Sequence, residues 1–289
     1  MRILIIGGDG MLGHRLLLHF SVRHDTLATL RRPLSEYSSY GLFNTANTLD
    51  GVDVRDFDSV RRAFATFRPD AVINATGIVK QRAEAKDAIP SIEINALFPH
   101  RLALLCTDHG ARLVHMSTDC VFSGRKGGYL EDDVADALDI YGRSKLLGEV
   151  GETPGITLRT SIIGRELSRR TGLFEWFLAQ RGRRIKGFRR AIFSGFTTHE
   201  MARIIDRVLT GPGPAHGLYQ VSSTAISKHD LLCAIRDRMS LDIAIEPDDE
   251  FACDRSLDST RFRNDFAYTP PSWAAMIDEL ASDKDNATP

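Results

Sequence analysis

The sequence predicts an α/β chain built on a doubly wound parallel sheet, with a smaller C-terminal α/β lobe. Three observations predict it. A β-branched run from Arg2 to Ile6 ends in glycine and leads into apolar residues at helical spacing from Met11 to Phe20. Strand-like and helix-like segments then alternate about once every 20 to 30 residues, the pattern of right-handed βαβ crossovers. Beyond Thr160 that alternation stops.

In chain order, Arg2–Ile6 reads as a strand, Met11–Phe20 as a helix and Thr26–Leu30 as a weaker strand. Ser59–Phe67 reads as a helix, Ala71–Ile73 as a strand, Ile92–Cys106 as a long helix and Arg112–Met116 as a strand. A helix at Tyr141–Val150 and a strand at Ile156–Arg159 close the regular part. After them come a basic stretch, the breaker GPGP at Gly211–Pro214 and a strand near 217–223 that returns to the first sheet. This divides the 289 residues into a principal unit, 1–160, and a smaller lobe, 161–289, with a polar tail after Ser282.

Composition narrows the function. Apolar residues make up 43% and charged residues 26%, as in an ordinary globular protein. Thirty-seven Lys and Arg against 38 Asp and Glu leave no basic excess, so nucleic acid is not an expected partner. Cys106, Cys120, Cys233 and Cys253 form no C-x-x-C pair and fit reduced thiols, and no apolar run is long enough for a leader or a membrane span. A cytoplasmic protein with no membrane partner is expected, and the oligomeric state is left open, with a homodimer among its possibilities.

The stretch IIGGDGMLGHRL holds four glycines within seven residues and reads in two registers, G-x-G-x-x-G at Gly8, Gly10 and Gly13 or G-x-x-G-x-x-G at Gly7, Gly10 and Gly13. Either suits a strand-to-helix turn whose amides approach a pyrophosphate at the positive end of a helix, the Rossmann type of NAD(P)-binding unit. Where an NAD-preferring site carries an acid after its second strand, this chain has Arg31 and Arg32, which favours NADP(H) and leaves NAD(H) open. Asp53 and Val54 follow a short strand where a carboxylate could meet an adenine amino group. Asn74, Ala75, Thr76 and Gly77 follow the next strand at the sheet edge where such folds bind ligands.

The richest segment runs from His115 to Glu149. Ser117 and Thr118 end a strand, and Tyr141 and Lys145 stand four apart on one helix face. An ammonium one turn away can lower the pKa of a phenol and make it a proton donor to a carbonyl oxygen, which Thr118 could orient.

Here the chain resembles the extended short-chain dehydrogenase/reductases, and in particular the dTDP-4-dehydrorhamnose reductase family, with its G-x-x-G-x-x-G turn, S-T-D-Y-V-F segment and Y-G-x-[ST]-K-x-x-G-E helix. The matching stretches are Gly7/Gly10/Gly13, STDCVF at Ser117–Phe122 and YGRSKLLGE at Tyr141–Glu149. They are followed by GFTTHEMA at Gly195–Ala202, GLYQVSS at Gly217–Ser223 and RSLDS at Arg255–Ser259, so nearly the whole chain is covered. The resemblance implies Thr118, Tyr141 and Lys145 as the catalytic trio, with Lys145 also holding the nicotinamide ribose. It implies Gly10, Met11 and Leu12 beside the pyrophosphate, Asp53 and Val54 near adenine, Ala75–Gly77 along the cofactor, and Thr118 and Asp119 against the sugar. The implied reaction moves a hydride from the nicotinamide to the 4-keto carbon of a nucleotide-linked 6-deoxyhexose. It also selects the register of Gly7, with Gly8 left as a spare small residue.

Two departures fall where the sugar should lie. Cys120 replaces the family tyrosine, and Thr160–Gly164 replaces T-S-W-V-Y. Related dehydratases carry a glutamate at the position of Cys120, which a cysteine cannot replace. A non-catalytic NADP-binding regulatory subunit and a nucleotide-sugar epimerase remain as other readings of the same fold. RGRRIKGFRR at Arg181–Arg190, six basic residues in ten, reads as solvated surface or as a grip on the substrate diphosphate. Phe174, Trp176 and Phe177 read as core. Cys106, His109 and His115 lack the fuller ligand set that zinc needs, so no metal is expected.

Overall fold

The computed structural model describes residues 1–79, 87–168, 170–214 and 216–283. The tail expected after Ser282 lies outside these from residue 284 onward. The strands are β1 (Arg2–Ile6), β2 (Asp25–Thr29), β3 (Thr48–Leu49), β4 (Ala71–Asn74), β5 (Arg112–Thr118), β6 (Gly155–Thr160), β7 (Ile162–Ile163), β8 (Arg183–Phe193), β9 (Phe196–Thr197), β10 (Gly217–Gln220), β11 (Ile226–Ser227) and β12 (Ile243–Asp254). The helices are α1 (Gly13–Phe20), α2 (Phe57–Phe67), α3 (Ala88–Ser91), α4 (Phe98–His109), α5 (Ile140–Leu147), α6 (Leu173–Leu178), α7 (Thr198–Thr210), α8 (Lys228–Met239), α9 (Thr260–Asp265) and α10 (Trp273–Ser282).

Seven parallel strands form the main sheet in the order β10-β6-β5-β4-β1-β2-β3. Because β1 is covered on both faces, its run is apolar throughout rather than alternating. Ile3 and Ile5 pack with Leu16, Leu17 and Phe20 of α1 and with Ile204, Ile205 and Val208 of α7. Leu4 and Ile6 face the other way, onto Val60, Phe64 and Phe67 of α2 and Phe98 and Leu102 of α4. The order reverses at β1, where connections leave toward opposite edges, and ligands bind beyond the strand ends at such a switch point.

The expected helix at Ile92–Cys106 is longer than its periodicity implied. α3 runs through a π-helical turn at Ile92–Leu97 into α4. Pro99, at the start of α4, has no N–H to continue the ladder, and π turns of this kind often mark functional sites. The buried Asn95 of that turn accepts from the Ile78 amide at 2.9 Å and donates to the Ile78 carbonyl and the Ser144 hydroxyl. It ties the loop after β4 to α5.

After Thr160 the chain contributes to both cores. β10 pairs with β6, while Phe262 and Phe266 join the core of the main sheet. A three-stranded sheet in the order β11-β8-β12 carries a second cluster, in which Leu231, Leu232 and Ile235 of α8 meet Phe174, Phe177 and Ile277. The basic stretch is thus the central strand of that sheet, β8, parallel to β12 over most of its length. Its cations meet β12 carboxylates: Arg184 pairs with Glu246, Lys186 with Asp248 at 2.8 Å, and Arg189 with Asp249. No helix among the described residues is long and apolar enough to cross a membrane.

Candidate active site

At the carboxyl ends of the main sheet lies a cleft of about 830 Å³, within the range of small-molecule sites. The glycine turn forms one end. Gly7 has φ +90°, a conformation that L side chains rarely adopt, and a Cβ on Gly13 would come 2.0 Å from the Gly7 carbonyl oxygen. Two of the three glycines of the G-x-x-G-x-x-G register, Gly7 and Gly13, are therefore required by the fold. A Cβ on Gly10 would meet the Gly7 and Ala75 carbonyl oxygens at 3.4 and 3.9 Å, ordinary contact distances, so the chain itself does not demand glycine there. Gly8 is not the spare residue expected from the motif: a Cβ there would sit 2.7 Å from the Ala28 Cβ, and its amide donates to the Thr29 carbonyl at 2.9 Å. The fourth glycine lets the turn pack on β2.

Gly7, Gly10, Met11, Leu12, Arg31, Asp53, Val54, Ala75, Thr76, Gly77, Thr118, Asp119, Tyr141 and Lys145 all line this cleft. Asn74 does not. It is fully buried, its Nδ2 3.0 Å from His115 Nδ1, while its Oδ1 accepts from the Thr76 amide and hydroxyl. It shapes the turn that presents Ala75–Gly77 instead of facing a ligand. Asp53 lines the wall with its carboxylate already engaged by Arg55 at 3.0 Å, and that bond holds its pKa below the ordinary value.

The reactive end is set by α5. Asp139 caps the helix by accepting from the Gly142 amide at 2.8 Å, which fixes Tyr141 and Lys145 on its first turns. Gly142 allows the contact, because a Cβ there would lie 2.3 Å from the Cys120 carbonyl oxygen. Lys145 Nζ donates to the Met116 carbonyl at 2.6 Å, and Thr118 Oγ1 donates to Asp119 and accepts from the Cys120 amide.

Burial governs the electrostatics here. It lowers the Lys145 pKa to about 8, with Glu149 opposing. It raises the Tyr141 pKa, against the lowering expected from a lysine one turn away: loss of hydration is the largest cause, Cys120, Asp119 and Asp139 push the same way, and the hydrogen bond with Thr118 opposes. Tyr141 therefore stays a protonated phenol, able to give its proton up. Cys120 lines the same wall and is pushed up to about 12, so it remains a thiol and is no base. Asp119 is raised by its burial as well.

The RmlD substrate binding domain family matches residues 1–285. The chain belongs to this family. It is 31% identical over 202 residues to the spore coat polysaccharide biosynthesis protein SpsK of Bacillus subtilis, covering 67% of this chain and 70% of that protein. It is 28% identical over 243 residues to a dTDP-4-dehydrorhamnose reductase of Burkholderia thailandensis, covering 82% and 68%. Its fold matches the crystal structure of dTDP-4-dehydrorhamnose reductase from Bacillus anthracis in complex with NADP, with TM-score 0.79, 20% identity and coverage of 96% and 98%.

The family match extends past Thr160, and that part of the chain supplies the wall that sequence reasoning missed. None of Arg181–Arg190 reaches the cleft; its cations from this half are Lys228, which opens α8, and Arg255, just after β12. Arg255 donates to the Phe122 carbonyl at 2.7 Å and to the Ser123 carbonyl at 3.3 Å. Its motif RSLDS was visible in the sequence, but nothing local ties it to the loop after β5. Lys228 had no signal beyond following the Ser227 cap. Ser161, Ile162 and Ile163, at the second family departure, also line the cleft beside Cys120.

Proposed function

We propose that this chain is an NAD(P)H-dependent oxidoreductase that reduces the 4-keto group of a nucleotide-linked 6-deoxyhexose, as its relatives' names describe for them. One observation carries the reading: Thr118, Tyr141 and Lys145 share a cleft with the glycine turn, which lines it through Gly7, Gly10, Met11 and Leu12. Gly10, Met11 and Leu12 would hold the dinucleotide's pyrophosphate and Lys145 its nicotinamide ribose. When bound, the reduced nicotinamide supplies the hydride that the carbonyl carbon accepts.

The chain's own residues do the rest. Tyr141 gives its phenol proton to the carbonyl oxygen, and the Thr118 hydroxyl, turning its one proton from Asp119 to that oxygen, fixes it in place. The Lys145 ammonium, held by the Met116 carbonyl, stabilises the phenolate left behind and relays a proton back to it. Lys228 and Arg255 face the substrate's diphosphate, one of the two roles left open for Arg181–Arg190. Cys120, a thiol at the sugar end, adds no acid/base pair for elimination, which favours plain reduction over dehydration.

The test is oxidation of NADPH and of NADH with a panel of dTDP-, UDP- and GDP-linked 4-keto-6-deoxyhexoses. Consumption with at least one, yielding the 4-hydroxy sugar, is expected. Cofactor binding without consumption on any of them would instead identify a regulatory subunit.

A further inference from the structure

β12 carries an aromatic ring that neither hydride transfer nor the diphosphate contacts explain. Of the aromatic side chains on the cleft wall among the described residues, Phe193 is buried and Tyr141 belongs to the chemistry, while Phe251 stands 50% exposed. The backbone puts it there. Asp248 pairs with Phe188 and Ala252 with Arg190, so Asp249, Glu250 and Phe251 together stand opposite Arg189 alone. A bulge of this kind re-aims a side chain. The buried Asp248 carboxylate holds it in shape: Oδ1 accepts from the Glu250 amide at 2.9 Å and the Phe251 amide at 3.4 Å, and Oδ2 pairs with Lys186 at 2.8 Å. Phe188, which does not line the cleft, braces the ring with its centroid 5.1 Å away.

The position of Phe251 along the strand gives it a meaning. Ser227 and Asp254 both pair with Ile192, from opposite sides of β8, so Lys228 and Arg255 follow at one level of the second sheet. That level adjoins the sugar end. The Asp254 amide donates to the Gly124 carbonyl at 2.8 Å and Arg255 to the Phe122 carbonyl, both in the loop that carries Cys120. Phe251 lies three residues before Asp254, roughly 10 Å back along an extended strand, and so stands beyond the two cations from the sugar. A nucleoside can bridge that separation. Resting on the reading of Lys228 and Arg255 as partners of the substrate's diphosphate, we propose that Phe251 is the platform on which the substrate's nucleobase stacks. Sugar, diphosphate and base then follow one another along the second wall. A ring kept half in water gains by covering the face of a base, and every base has such a face.

The test is calorimetric titration of the full chain, in saturating oxidised cofactor, with dTDP, UDP and GDP and separately with inorganic pyrophosphate. The wild-type chain binds at least one of the three nucleotides. Phe251→Ala weakens that nucleotide by about tenfold, the scale of one lost base stack, and leaves pyrophosphate and cofactor within about twofold of wild type. Phe251→Trp restores the loss, whereas Phe251→Leu, apolar but without a π face, does not. Unchanged nucleotide affinity in Phe251→Ala, full affinity in Phe251→Leu, or equal weakening of pyrophosphate overturns the platform and leaves the nucleotide-sugar reading standing. A wild-type chain that binds none of the three nucleotides overturns that reading, and the platform with it.

Discussion

The two walls of the cleft are built by different means. The glycine-turn wall is made by backbone at adjoining strand ends, where Gly7 needs a left-handed conformation and Gly13 a close approach. The opposite wall is made by side chains, Lys228 and Arg255, that β8, β12 and α8 carry across from the second sheet. Backbone can place amides for a phosphate whatever the side chains are, so the first wall is suited to a constant ligand. Side chains on a separate sheet can change without disturbing the turn, so the second wall suits a ligand that differs among relatives. The family departures at Cys120 and at Ser161–Ile163 fall toward this second wall.

Tyr141 sits between the two walls, and its loss should have the largest effect. Tyr141→Phe removes the proton donor while keeping the ring, so kcat should fall by about 10²- to 10⁴-fold with cofactor Kd little changed. Stopped-flow rates with the best substrate of the panel, beside a cofactor titration, read both. Retained turnover would end the role given to Tyr141 and, with it, the division of labour between the walls.

Lys228→Ala tests the second wall alone. A charge-assisted contact to a diphosphate is worth enough that KM for the sugar nucleotide should rise roughly 10- to 100-fold, with cofactor Kd unmoved. If the cofactor weakened instead, Lys228 would belong to the first wall and the contrast would fail.

Lys145 sharpens the contrast through pH. Its folded value of about 8 lies below the unfolded value of 10.5, so the ammonium is lost as pH rises through about 8. kcat/KM should then fall by about tenfold per pH unit above that point. Stability moves the opposite way. Between the two values the unfolded chain binds more protons, so folding gains from about pH 8 upward as the cost of burying the charge disappears. Urea midpoints at pH 7.5 and 9.5, compared with those of Lys145→Met, isolate this gain; a wild type without it would place Lys145 in a wetter setting.

What could be read from the sequence follows the same division. The glycine turn, the strands of the main sheet and the Tyr141–Lys145 pair rest on spacing within one or two elements, which local sterics and periodicity determine. Asn74 sat in the right place along the chain but points into the sheet toward His115. The sign of the Tyr141 shift was beyond reach because it depends first on burial by segments far apart in sequence, and the acids Asp119 and Asp139 push the same way.

The smallest effect belongs to the feature that stood out most in the sequence, the basic run at Arg181–Arg190. Composition alone could not separate a solvated strand from a phosphate grip, because both need the same residues. Cross-strand pairing separates them: Arg184 and Arg189 are taken up by Glu246 and Asp249 on the exposed side of the second sheet, and the end of β8 that reaches the cleft is Ala191, Ile192 and Phe193. Exposed pairs of this kind contribute little, and they lie away from where a diphosphate would bind. Arg184→Gln should therefore leave the sugar-nucleotide KM within about twofold of wild type, measured beside Lys228→Ala at the same ionic strength. A tenfold rise for Arg184→Gln would return the grip to β8 and would mean that the second sheet meets its ligand with a face that the ion pairs now occupy.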